Sequence, residues 1–268
     1  MESTLSLQVS DLQGEVGFFL GYGRGAPNGE ALWTTLQLNA IQSIVKSGLR
    51  NFYFPPPVEG QESSYVWSFM KPRATSDFPA GAQFVPLPDD FGGFEGQITL
   101  QALTSQLWWP LDIRNEGDVA QYYSETPTAT GRPWMAALQW LKGTAGTQGQ
   151  RAQLWLFPKA DTDYTLGFQY YLLPDYLDGS FPFPYGGMQH AETILESCLA
   201  VAEQRLDDAT SVHTMKFNER LMASISADRV NKPQLGGYNA DRSDMMDRWG
   251  RTVWNHYNDR ILVNGKAY

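Results

Sequence analysis

A chain of 268 residues with 42% hydrophobic side chains can bury a substantial core, as one large domain or two small ones. Its net charge of −9 argues against a protein that grips phosphate backbones, although an acidic wall would let a polyanion slide past by repulsion. No apolar run approaches the ~20 residues of a membrane span.

The single cysteine, Cys198, has no partner for an intrachain disulfide, and Met1-Glu2-Ser3-Thr4 lacks a basic and then apolar leader; both favour a reducing cytoplasm. Aromatics at 13% and sixteen prolines point to β-structure with many turns.

In chain order, residues 10–48 read as helical. Ser10-Asp11-Leu12-Gln13 fits a capping box opening a short helix that Gly21 and Gly23 would end. A second helix is expected over 30–47, capped by Asn28, with Trp33, Leu36, Ala40 or Ile41, and Ile44 or Val45 on one face. Gly48 with Leu49 behind it predicts a Schellman stop.

From Arg50 to Pro184 the period becomes that of strands. Asn51-Phe52-Tyr53-Phe54 runs into Pro55-Pro56-Pro57, and strands are expected at 65–70, 97–103, 119–124, 150–157 and 164–172. Residues 134–140 fit strand or helix. Turns fall at Pro88-Asp89-Asp90-Phe91-Gly92-Gly93 and Lys142-Gly143-Thr144-Ala145-Gly146. Such spacing predicts an antiparallel sandwich or barrel.

Helices then return. One carries Met188, Ala191, Leu195, Cys198 or Leu199, Ala202 and Leu206; after the link 207–211 a second carries Val212, Met215, Leu221 or Met222, and Ile225. The expected fold class is α+β: a helical bundle formed by N- and C-terminal helices, an inserted antiparallel β-sandwich or barrel, and an extended C-terminal arm. The boundaries are 1–50, 51–185, 186–230 and 231–268.

Chemistry is hard to find. His190, His213 and His256 are scattered, so no clustered metal ligands are expected. Cys198 lies on an apolar helical stripe and reads as a small hydrophobe. No Gly-x-Ser-x-Gly elbow is present. Gly21-Tyr22-Gly23-Arg24-Gly25 follows a helix and lacks Gly-Lys-Ser/Thr, so it reads as a helix-ending loop, not a phosphate loop.

Asp89-Asp90, Asp161 with Asp163, and Asp207-Asp208 sit among turn residues, where Asp serves local hydrogen bonds. Trp108-Trp109 and Trp155 fit either a small β-core or a surface that stacks on sugar rings. No catalytic, cofactor-binding or metal-binding residues are assigned.

The segment after Arg229 has no sustained apolar period but is rich in interface residue types: Tyr238, Arg242, Arg248, Trp249, Arg251, Trp254, Tyr257, Arg260 and Tyr268. Asp244 with Arg248, and Asp247 with Arg251, support a helical turn that Gly250 interrupts. Ile261-Leu262-Val263 is suited to adding as a strand to a partner's sheet. From Asp228 onward seven basic and five acidic residues give +2, leaving the body at about −11.

Several segments together resemble head-to-tail adaptor proteins of tailed bacteriophages. They are residues 14–23 followed by Trp33 and Ser47-Gly48-Leu49-Arg50-Asn51-Phe52-Tyr53; Leu87-Pro88-Asp89-Asp90-Phe91-Gly92-Gly93; and Thr130-Gly131-Arg132-Pro133. Tyr164-Thr165-Leu166, His190-Ala191-Glu192 through Ala202-Glu203, Phe217-Asn218-Glu219-Arg220-Leu221 and Gly237-Tyr238-Asn239 extend the likeness. The long β-insertion departs from the short members of the group.

The resemblance implies a non-enzymatic virion protein of the neck, made in the host cytoplasm. It would form a twelve-membered ring under the portal, docked by the C-terminal arm. A tail or nozzle protein would meet the opposite face, and DNA would pass through without specific binding. The rival expectations are a tail-terminator or other neck subunit, and a carbohydrate-binding or glycoside-active β-module built on Trp108, Trp109 and Trp155.

Overall fold

The computed structural model describes residues 3, 5–25, 32–57, 64–103, 105, 107–143, 149–207 and 212–231, with strand residues 262–263 and 266–267. The chain is mixed α+β and divides into two compact units, Met1–Arg229 and Val230–Tyr268. The described helices are α1 (Val9–Phe19), α2 (Thr35–Tyr53), α3 (Glu116–Glu125), α4 (Ala191–Asp207) and α5 (Val212–Asn231).

Helix α1 opens where the Asp11 carboxylate accepts the Gln8 N–H at 2.8 Å, and it ends before Gly21 and Gly23, both at left-handed φ. Helix α2 begins later than expected. Its N-cap is Thr34, whose hydroxyl accepts the Gln37 N–H at 3.3 Å while the Gln37 side chain accepts the Thr34 N–H at 2.9 Å. Asn28 and Glu30, the expected start, lie outside the described residues.

Gly48 does not stop α2. It lies inside the helix, where a Cβ would stand 2.7 Å from both Cα and Sγ of Cys198 on α4. The glycine is there for close approach, and Ser197 Oγ seals the crossing by donating to the Gly48 carbonyl at 2.7 Å. Residues 51–53, expected as the start of a strand, are the last turn of this helix.

One hydrophobic core joins α1, α2, α4 and α5, through Leu12 and Val16, Ile41, Val45, Leu49 and Phe52, Ile194 and Cys198, then Phe217, Leu221 and Ile225. The expected helix faces are partly corrected. Leu36, Met188, Leu206, Val212 and Met215 are exposed, because each lies off the buried arc or at a helix end.

The strands are β1 (Arg73–Phe78), β2 (Phe84–Pro86), β3 (Phe91–Ala102), β4 (Trp108–Arg114), β5 (Thr130–Gly131), β6 (Met135–Leu141), β7 (Arg151–Phe157), β8 (Lys159–Ala160) and β9 (Tyr164–Leu172). Seven form one sheet in the order β1-β9-β3-β4-β6-β7-β2; β5 and β8 make a small parallel pair. The two edge strands, β1 and β2, are sequence neighbours joined by residues 79–83. A link that short reaches at most about 20 Å, so the sheet is rolled until it is nearly closed.

The sheet is not purely antiparallel. Strands β4 and β6 run parallel, and α3 makes the crossover between them. Residues 119–124, expected as a strand, are part of that helix. The expected strand at 65–70 is an extended stretch ending in a 3-10 turn at Ser68–Met70.

A second core lies within the sheet around Phe91, Leu100, Leu154, Leu156, Leu166 and Phe168, and Val119 of α3 packs with Met135 and Phe157. In the second unit, β10 (Leu262–Val263) pairs antiparallel with β11 (Lys266–Ala267).

Candidate functional site

Of the candidate residues, Asp89, Asp90, Asp161 and Asp163 make local structural contacts, while Asp208 and His256 lie outside the described residues. Asp89 pairs with Arg151 Nε at 2.9 Å, and Asp90 accepts from the Tyr170 hydroxyl at 3.0 Å. Asp161 accepts from the Tyr164 hydroxyl at 2.7 Å, and Asp163 takes the Ala80 N–H at 2.8 Å. These carboxylates fasten turns of the rolled sheet, and burial holds the Tyr164 and Tyr170 hydroxyls protonated, raising each to about 12. Cys198 is fully buried, and burial pushes its thiol up to about 12, the opposite of a nucleophile. Among the described residues no cluster of three or more His, Cys, Asp or Glu could hold a metal ion.

The tryptophans separate. Trp155 stacks on Tyr123 at 5.6 Å with rings 3° from parallel, and on Phe84 at 6.0 Å. Trp109 lies under the Arg132 guanidinium, and Trp108, half-exposed, covers Gly167, where a Cβ would meet its ring at 2.9 Å. Trp155 thus packs against one aromatic of the sheet, Phe84 of β2, and one of helix α3, Tyr123.

A buried polar knot ties the stretch after α2 to the end of α5. Asp228, 3% exposed, accepts from the Tyr65 hydroxyl at 2.5 Å, from the Ser68 N–H at 3.1 Å and from the Ser68 hydroxyl. Beside it His190 is enclosed by Trp67, Phe69 and Phe52, with ring centroids 5.2, 5.4 and 5.9 Å away. Its Nδ1 is buried without a hydrogen-bond partner. Burial lowers the His190 pKa, and the negative charge of Asp228 only partly offsets this.

At the α4–α5 corner, buried Glu203 accepts the N–H groups of His213 and Thr214 at 3.3 and 3.1 Å, covering orphan donors at the start of α5. Glu196 meets His213 Nδ1 at 2.7 Å.

What remains open to partners is surface. Phe181 is 71% exposed on a turn fixed by Asp178, whose carboxylate accepts the Ser180 and Phe181 N–H groups. Behind it lies a cavity of about 430 Å³ lined by Leu173, Pro174, Phe183 and Tyr185. A second surface, not anticipated, is an open groove of about 300 Å³ between α2 and α4 that gathers Lys46, Arg50 and Arg205. Its signal was present as Asn39, Ser43, Lys46 and Arg50 at helical spacing, but the net charge of the chain hid it.

The expected docking residues Tyr238, Arg242, Arg248, Trp249, Arg251, Trp254, Tyr257, Arg260 and Tyr268 lie outside the described residues. Leu262-Val263 does form a strand, and it pairs with Lys266-Ala267 of the same chain. Compared with models of protein families and with curated protein sequences, the chain matches none.

Proposed function

We propose that this chain is a structural head-to-tail adaptor of a tailed bacteriophage, acting by assembly and not by catalysis. Identical subunits would form a twelve-membered ring beneath the portal, with tail or nozzle proteins on the opposite face and DNA passing through. The single helical core built from helices at both ends of the first unit would be the bundle, and the rolled sheet its inserted domain. The observation that carries this reading is the division after Arg229, which leaves Val230–Tyr268, rich in Trp, Tyr and Arg, as a unit of its own. A terminal unit of that composition is suited to docking. The sugar-binding alternative rests on Trp108, which is half-exposed, while Trp155 packs against Phe84 and Tyr123.

The test is to end the chain after Lys232 and measure binding to isolated portal rings. The full chain should bind and assemble into a discrete ring by native mass spectrometry, and the truncated chain should bind at least ~100-fold more weakly, as expected when several aromatic and arginine anchors are removed together. Undiminished binding by the truncated chain overturns the docking role.

A further inference from the structure

The groove between α2 and α4 has a composition unlike the rest of this acidic chain. Helix α2 contributes Asn39, Gln42, Ser43, Lys46, Ser47 and Arg50, and α4 contributes Arg205; the lining contains no carboxylate. Asn39, Ser43, Lys46 and Arg50 are all exposed, and they follow one another at i, i+4, i+7 and i+11, so they form a single row along the helix. At ~1.5 Å per residue the row is about 16 Å long.

The cations are also positioned. Arg205 donates from Nη1 to Ser43 Oγ at 3.0 Å and from Nη2 to the Ser43 carbonyl at 3.5 Å, which holds its guanidinium across the groove. Lys46 Nζ sits 4.3 Å from the centre of the Tyr176 ring. Among the described residues no carboxylate lies within ion-pair distance of Lys46, Arg50 or Arg205, although Asp175 lines the adjoining groove with two of them.

A row made of Arg, Lys, Ser, Asn and Gln donors matches the side chains that contact phosphate oxygens. Its length suits consecutive phosphates along a strand better than one ion. A planar guanidinium fixed by a neighbouring serine has less freedom to lose on meeting an anion.

We propose that the α2–α4 groove binds the phosphate backbone of duplex DNA without regard to base sequence. The net charge of −9 opposes this at long range, so the attraction is local and strongly weakened by salt. The inference stands apart from the adaptor reading. A chain that binds portal but not DNA overturns only this proposal, and one that binds DNA but not portal overturns only the other.

The experiment is fluorescence anisotropy of the full chain on labelled duplexes of two unrelated sequences, between about 50 and 200 mM salt. With three cations, log K should fall with log salt at a slope of about −2.7, roughly a 40-fold loss over that range. Arg50→Gln should flatten the slope by about 0.9, and Lys46→Gln/Arg50→Gln/Arg205→Gln should remove binding. These side chains are exposed, and an unchanged circular dichroism melt of the variants confirms intact folding. Inorganic phosphate and polyglutamate serve as competitors. No binding at the low-salt end, indifference to the triple substitution, or equal displacement by either competitor at matched charge overturns the proposal.

Discussion

At the scale of single residues, a few ionisable groups, His190, Glu196, Glu203 and Asp228, are buried in packing roles. His190 shows the consequence most directly. Its ring is enclosed by aromatic side chains and its pKa is lowered by burial, so the folded state holds it neutral. In the unfolded chain it takes up a proton as pH falls through about 6.5. The unfolded state then binds more protons than the native one, so the stability is complete above that pH and is lost as the pH is lowered through it. His190→Phe, which keeps the aromatic box, should therefore show a smaller drop in Tm between about pH 7.5 and 5 than the parent protein. An equal drop in both would remove His190 as the cause. The histidine was visible in the sequence; its environment was not, because Phe52, Trp67 and Phe69 come from a helix end and an irregular stretch far away in the chain.

At the scale of elements, the contact between α2 and α4 is the tightest constraint. A Cβ on Gly48 would press on the backbone of Cys198, which cannot yield as a flexible side chain would. Gly48→Ala should lower stability by about 1–3 kcal/mol despite alanine's better helix propensity, as measured by urea unfolding. A stabilised variant would show that the helices can separate without loss. The same position explains why the local pattern predicts a stop there, since a glycine before an apolar residue resembles a helix end when the second helix lying against it is not in view. Strands β7 and β9 were legible from aromatic and leucine residues recurring along the chain. Strand β4 was not, because Pro110 interrupts it. It is tolerated where β4 pairs only with β3, since the pairing with β6 begins at Asp112. Helix α3 is hidden in the sequence because Val119, Tyr122 and Tyr123 favour strands and only Val119 is fully buried. The acidic first turn, Glu116 and Asp118 after Asn115, was its true local signal.

At the scale of the whole molecule, Cys198 offers a direct report on the helical core, being the chain's only thiol and fully enclosed. A thiol reagent should be silent in native buffer and titrate one group in strong urea, with labelling tracking the unfolding transition. Fast labelling of the native protein would mean that the α2–α4 contact opens without global unfolding. The sequence by itself determined the mixed class, the helix–strand–helix order, the best strands and the unusual composition of the C-terminal segment, because these rest on local period and residue type. Only the tertiary structure decided that the edge strands β1 and β2 come round to nearly close the sheet, that β4 and β6 run parallel, and that Arg205 joins Lys46 and Arg50 in one groove. Each of these depends on residues brought together over long stretches of chain, where pairing and packing choose among partners that local propensity leaves equivalent.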